Sequence, residues 1–168
     1  GTEGNDTTSL NGGDYNDFIY GEGGDDKING NAGRDHLEGN TGNDTLHGGT
    51  ETDYLYGGQG NDHLHGEEGN DFLIGGEGSD TYYYVNNATQ FDGHDQINDI
   101  DAGDRLNING HLISNLTEFN SQGSSDKTYK DDYGNIYAIG ATGGLIITVI
   151  NDSKSGTIEI NQFNKTTN

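Results

Sequence analysis

A nine-residue repeat runs without interruption from Gly12 to Tyr83, and it constrains the fold more than any other feature of the chain. The units are Gly12–Tyr20, Gly21–Asn29, Gly30–Glu38, Gly39–His47, Gly48–Tyr56, Gly57–His65, Gly66–Ile74 and Gly75–Tyr83. Each opens with Gly and carries Asp at its sixth place: Asp17, Asp26, Asp35, Asp44, Asp53, Asp62, Asp71 and Asp80. The eighth places are Ile19, Ile28, Leu37, Leu46, Leu55, Leu64, Leu73 and Tyr82. A unit this short buries nothing alone, so the period predicts stacking into a solenoid.

Each unit reads as a six-residue turn followed by a three-residue strand. Glycine at the first and fourth places permits positive φ and close backbone approach. Strand alternation turns the eighth side chain inward and the seventh and ninth outward. Two units then make one coil, and residues eighteen apart lie above one another at about 4.8 Å, the spacing of paired strands. Asp17, Asp35, Asp53 and Asp71 form one column, and Asp26, Asp44, Asp62 and Asp80 the other.

Only 27% of the chain's 168 residues are hydrophobic, while 30 are Gly and the net charge is −22. That balance is usual for disorder, yet disorder has no use for Leu or Ile at fixed phase. The two facts reconcile if folding depends on a cation held between the carboxylate columns. The charge also excludes nucleic acid and anionic membrane surfaces as direct partners, because both require a basic footprint. Without Cys, neither disulfides nor thiolate metal sites are available. No apolar run reaches membrane-spanning length and no signal peptide is legible. Gly1–Ser9 already reads as a repeat, so a larger parent protein is expected.

Hard oxygen ligands in a flexible arrangement of six or more select calcium over zinc, and magnesium's tighter octahedron should compete poorly. The expected side-chain ligands are the eight repeat aspartates together with Asp95 and Asp104. Main-chain carbonyls from the first four places of each turn should complete the shells. They are Gly21 and Gly24; Gly30, Asn31, Ala32 and Gly33; Gly39, Asn40, Thr41 and Gly42; and Gly48, Gly49 and Thr50. The later turns add Gly57, Gly58, Gln59 and Gly60; Gly66, Glu67, Glu68 and Gly69; and Gly75, Gly76, Glu77 and Gly78.

These units resemble the glycine- and aspartate-rich nonapeptide of RTX proteins, the hemolysin-type calcium-binding repeat. The resemblance implies an all-β fold, a right-handed parallel β-roll with several calcium ions stacked along both edges. It also implies export by type I secretion, unfolded, and folding on extracellular calcium as part of a larger toxin-like or iron-regulated bacterial protein. Tyr15 and Glu51 depart from it by replacing the fourth-place Gly. Leu10 and Asn11 break phase between Asp6 and Asp17, which puts the first site in doubt.

After Tyr84–Thr89 the nine-residue step resumes without its glycines, in Gln90–Asn98 (Gly93, Asp95, Ile97) and Asp99–Asn107 (Asp104, Leu106). The expected division is a roll over 1–107, with clear repeats at 12–83 and degenerate coils at 90–107, followed by a β cap over 108–168. In the cap, Ile136–Ile139, Leu145–Ile150 and Thr157–Phe163 read as an antiparallel meander. Its expected turns are Tyr133–Asn135, Thr142–Gly144 and Lys154–Gly156, and Leu112–Phe119 reads as a short helix or turn.

Outward aromatics line one face, with Phe18, Tyr54, Tyr56 and Phe72 prominent, and either the rest of the protein covers them or they meet a host-cell or protein partner. His47, His63 and His65 cluster on the other face, as surface residues or as an adventitious transition-metal site. No catalytic motif is present, and regular spacing explains the acid pairs better than a catalytic dyad does. The chain therefore reads as a calcium-binding module and not an enzyme. The alternatives are a calcium-stiffened adhesion module and the non-catalytic tail of a secreted hydrolase.

Overall fold

The computed structural model describes residues 1–2, 4–5, 9–85, 93–100, 103–108, 110–113, 129–130, 136–139, 145–151 and 154–160, with side chains described as far as residue 110. Every regular element among them is a β-strand. β1 (Leu10–Asn11) precedes the repeat strands β2 (Phe18–Gly23), β3 (Lys27–Ala32), β4 (His36–Thr41), β5 (Thr45–Thr50), β6 (Tyr54–Gln59), β7 (His63–Glu68), β8 (Phe72–Glu77) and β9 (Thr81–Tyr84). After these come β10 (His94–Ile97), β11 (Arg105–Ile108), β12 (His111–Ile113), β13 (Tyr129–Lys130), β14 (Ile136–Ile139), β15 (Leu145–Asn151) and β16 (Lys154–Ile160).

Successive repeat strands alternate between two sheets, which is what two units per coil requires. Even strands β2, β4, β6, β8 and β10 pair in parallel, and odd strands β1, β3, β5, β7, β9 and β11 do the same. The register is eighteen residues: Leu37 lies beside Leu55, and Leu46 beside Leu64. This is a parallel β-roll.

The core is a single file of inward side chains between the sheets. Ile28, Leu37, Leu46, Leu55 and Leu64 are wholly buried, and Leu73, Tyr82, Ile97, Leu106 and Ile108 continue the file. At its N-terminal end Leu10 and Ile19 are only partly buried against it.

Several local expectations are corrected. Repeat strands β2 to β8 are six residues long, not three, because the ladder continues into the first places of the next unit, and β9 is four. Positive φ falls on the second and fourth places instead of the first and fourth; the second-place values are 79° at Asn31, 74° at Asn40 and 71° at Glu67. The first glycine is needed for a different reason, lack of room. A Cβ on Gly30 would fall against the Asp35 carboxylate and the Gly48 carbonyl. Glu51 adopts φ 82° at its fourth place, so it keeps the turn conformation of the glycine it replaces. Leu10 and Asn11 sit in register with Ile28 and Asn29, so they keep phase with the strands that follow.

The stacking interval widens to twenty-four residues at the C-terminal end, where Leu73 lies beside Ile97 and Tyr82 beside Leu106. Leu112 and Ile113 belong to β12, antiparallel to β11, not to a helix or turn, and the rest of that segment lies outside the described residues. The strands β13–β16 form an antiparallel run, and β16 adds in parallel to β10, extending the even sheet. Lys154–Gly156, expected as a turn, is ladder-paired with Val149–Asn151 inside β16. The other two expected turns and Asn161–Phe163 lie outside the described residues.

Candidate metal centre

Each sixth-place aspartate ends a turn and precedes a strand, so its carboxylate is held by the coil beside it. Asp17 N–H donates to Asp35 Oδ1 at 2.8 Å, Asp35 N–H to Asp53 Oδ1 at 2.8 Å, and Asp53 N–H to Asp71 Oδ1 at 2.9 Å. On the other edge Asp26 donates to Asp44 at 2.8 Å, Asp44 to Asp62 at 2.8 Å, and Asp62 to Asp80 at 2.9 Å. Asp71 and Asp80 continue the pattern onto Asp95 at 3.0 Å and Asp104 at 2.9 Å. All ten predicted aspartates thus lie in two columns, five to a column.

The second oxygen is the telling one. Oδ2 of Asp35, Asp44, Asp53 and Asp62 is buried and has no hydrogen-bond partner among the described residues. A buried acceptor without a partner costs about 1–3 kcal/mol, and more when charged. These oxygens face the first-place glycine of their own unit, close to a carbonyl of the next coil. A Cβ on Gly48 would lie 2.5 Å from Asp53 Oδ2 and 2.7 Å from the Gly66 oxygen. Carboxylate and carbonyl oxygens therefore converge on a small cradle that only glycine leaves open.

Burial pushes these acids up. Desolvation is the largest cause at each, partly offset by the hydrogen bond from the preceding aspartate's N–H and reinforced by neighbouring acids. Asp44 rises to about 6, Asp53 to about 8 and Asp62 to about 7, and Asp35 rises as well. The protein's own groups leave carboxylates that ionise poorly, which is the condition a cation reverses.

The turn at Gly12 differs. Asp17 Oδ2 accepts from Gly13 N–H at 2.7 Å, and Tyr15 stands exposed where every other turn except that of Glu51 carries glycine. This turn closes on itself.

The fifth place carries a second ladder. Asn43 N–H donates to Asp25 Oδ1 at 2.8 Å, Asn61 N–H to Asn43 Oδ1 at 2.9 Å and Ser79 N–H to Asn61 Oδ1 at 2.9 Å. Asn5 starts this column by accepting from Asp25 N–H at 2.9 Å. On the opposite edge Arg34 N–H donates to Asn16 at 3.0 Å and His94 N–H to Asn70 at 2.9 Å. Sixth-place carboxylates accept from the coil before, and where the fifth place is Asn or Asp its side-chain oxygen accepts from the coil after, so those turns are tied in both directions. The recurrence of Asn or Asp at Asn16, Asp25, Asn43, Asn61 and Asn70 was the available signal.

The RTX calcium-binding nonapeptide repeat profile (4 copies) matches residues 1–37, 30–64 and 47–82. The repeat region belongs to the RTX family. Among similar solved structures is the solution structure of the AlgE6R3 subunit from the Azotobacter vinelandii mannuronan C5-epimerase. It is 28% identical, covers 95% of this chain and 77% of its own, and superposes loosely with a TM-score of 0.37. No curated protein matches the chain.

An RTX turn binds calcium, and the donors present fit that ion: oxygens only, some anionic, on flexible backbone. Among the described residues no three His, Asp or Glu side chains converge closely enough to hold a metal by themselves. The carbonyl oxygens that border the first-place glycines are the other oxygen donors beside these carboxylates.

Outside the turns the RTX roll carries ring columns. Tyr54 and Phe72 stack at 4.9 Å with a 4° interplanar angle, while Phe18 is 73% exposed. His36 lies between Phe18 and Tyr56, at 5.5 and 5.1 Å, with Nε2 2.6 Å from Glu38. On the odd sheet His47 stacks on His65 at 4.4 Å and His65 on Tyr83 at 4.1 Å. His47 Nδ1 is 2.8 Å from Glu67, His63 Nδ1 is 2.8 Å from Tyr83 Oη, and burial lowers His65 to about 4.

Proposed function

We propose that this chain is a calcium-driven folding module, unfolded where calcium is scarce and folded where it is abundant, working within a larger secreted bacterial protein. The observation that carries this reading is the set of buried Oδ2 atoms at Asp35, Asp44, Asp53 and Asp62 without hydrogen-bond partners. In the apo chain those acids repel and resist burial, and little hydrophobic surface opposes them. With an ion in each cradle the same acids become the cohesive element. Sites of the weak extracellular class, with Kd of about 10⁻⁴–10⁻³ M, suffice for such a switch.

The ten aspartates and the turn carbonyls are the proposed ligands, stacked along both edges. Each completed coil offers the next one a ready ladder, so folding is cooperative along the roll. Residues 1–107 form the roll in this reading and 108–168 its cap; the parallel addition of β16 to β10 supports a cap that continues the even sheet. Type I secretion, an extracellular location and a toxin-like parent follow from the RTX resemblance. The module itself carries no catalytic role. Circular dichroism during a calcium titration tests the reading: strand signal should appear with calcium and vanish with excess chelator, and equal signal in both states refutes it.

A second reading has one observation in its favour, the ring column on the even sheet. In it calcium stiffens a rod whose Phe18, Tyr54, Tyr56 and Phe72 face binds a partner. Replacing Tyr54 and Tyr56 by Ser separates the two: this reading requires binding to cells or glycans to be lost while folding persists.

A further inference from the structure

The last turn of the Asp26 column is built differently from those before it. In the turns opening at Gly39, Gly48 and Gly57, the space beside the aspartate Oδ2 is bordered by the first-place carbonyl of the next coil, from Gly57, Gly66 and Gly75. In the turn opening at Gly75 a side chain stands in that space, and the first-place carbonyl of the next coil, that of Asp99, accepts its proton. A Cβ on Gly75 would lie 2.6 Å from the Tyr82 hydroxyl as well as against Asp80.

Tyr82 is the one aromatic residue at the eighth place of the repeats, where the others are Ile or Leu. It is 1% exposed, and its hydroxyl reaches back out of the core into the turn. The hydroxyl accepts from Gly75 N–H at 2.9 Å and directs its proton to Asp99, whose carbonyl oxygen and Oδ1 lie at 2.8 and 2.9 Å. Asp99 is likewise exceptional, an acid at a first place where the repeats have Gly. Its Oδ1 accepts from Gly75 N–H and its Oδ2 from Gly76 N–H, both at 3.0 Å. Both carboxylate oxygens are thus already engaged by donors.

We propose that Tyr82 and Asp99 close the Asp26 calcium column, so that the space between Asp80 and Asp104 is held by protein groups and takes no calcium, which removes Asp104 from the ligand set proposed above. The proposal rests on the reading that the preceding turn pairs do take calcium. A neutral phenol whose lone pair already accepts an N–H is a poor substitute for a carbonyl ligand, and two N–H donors compensate the Asp99 charge where calcium would otherwise do so. The roll then ends on a coil whose geometry does not depend on the ion.

Two measurements test this together. An anomalous calcium map of the wild-type roll should show ions between the turns of Asp44 and Asp62 and none between those of Asp80 and Asp104. Calcium at the latter pair overturns the proposal; calcium at neither pair overturns the underlying reading instead. Native mass spectrometry of Tyr82→Leu with Asp99→Gly, which restores the repeat pattern at both places, should count one more bound calcium than wild type. An unchanged count in a folded double variant also overturns it. Should that variant fail to fold, the wild-type map decides alone.

Discussion

At the scale of single residues, Asp53 holds the account in miniature. One oxygen takes the Asp35 amide, the other is buried and bare, and burial lifts its titration to about 8. Asp53 is stacked on both sides, by Asp35 and Asp71, whereas Asp95 is stacked on Asp71 at the end of the column. Asp53→Asn should therefore raise the calcium midpoint by about tenfold, or 1.4 kcal/mol, and Asp95→Asn by clearly less. Calorimetric titration of both variants checks the ranking. Gly48→Ala places a methyl 2.5 Å from Asp53 Oδ2 and 2.7 Å from the Gly66 carbonyl. It should cost about 1–3 kcal/mol by denaturant unfolding in calcium, although alanine is the better strand residue.

Legibility at this scale followed chemistry. A charge at every sixth place and an apolar group at every eighth can be read directly, because no bland role demands them in phase. The left-handed second place could not be read. Gly49, Gly58 and Gly76 share it with Glu22, Asn31, Asn40 and Glu67, whose side chains do not announce the conformation. The Asn ladder was missed for a related reason: Arg34, Thr52 and Ser79 interrupt the fifth place, and the hydrogen bond it makes needs only the neighbour's N–H.

At the scale of elements, each repeat strand is worth one inward side chain plus its ladder. Leu55 is wholly buried between Leu37 and Leu73 in the even sheet's register. Leu55→Ala should destabilise the calcium-bound roll by about 2–5 kcal/mol, measured by chemical unfolding at saturating calcium. Because a solenoid couples only nearest neighbours, the loss should spread to β4 and β8 before distant strands. The period made these strands legible. Past Ile108 no period exists, and turn chemistry misled at Lys154–Gly156: a Ser-Gly pair reads as a turn, yet pairing with β15 along seven residues draws it into a strand. Tertiary pairing outweighed local preference there.

At the scale of the whole molecule, a net charge of −22 and a one-file core leave the fold dependent on how its acids are compensated. Protons can stand in for calcium. Asp44, Asp53 and Asp62 have folded values near 6, 8 and 7 against an unfolded value of 3.8. Groups raised on folding contribute stability that is full below the unfolded value and lost as pH rises through the folded one. In calcium-free buffer the roll should therefore be most stable near pH 4 and melt progressively as pH climbs through 6 to 8. With calcium present the trend reverses, because the ion needs the carboxylates ionised. Thermal scans by circular dichroism across that range check both signs.

The most direct test of the central claim is amide hydrogen exchange of β4 to β7 at neutral pH, with millimolar calcium and with chelator. The account predicts strong protection of the sixth-place amides of Asp35, Asp44, Asp53 and Asp62 in calcium and near-coil exchange without it. Equal protection in the two conditions would show that the stacked carboxylates hold together without an ion.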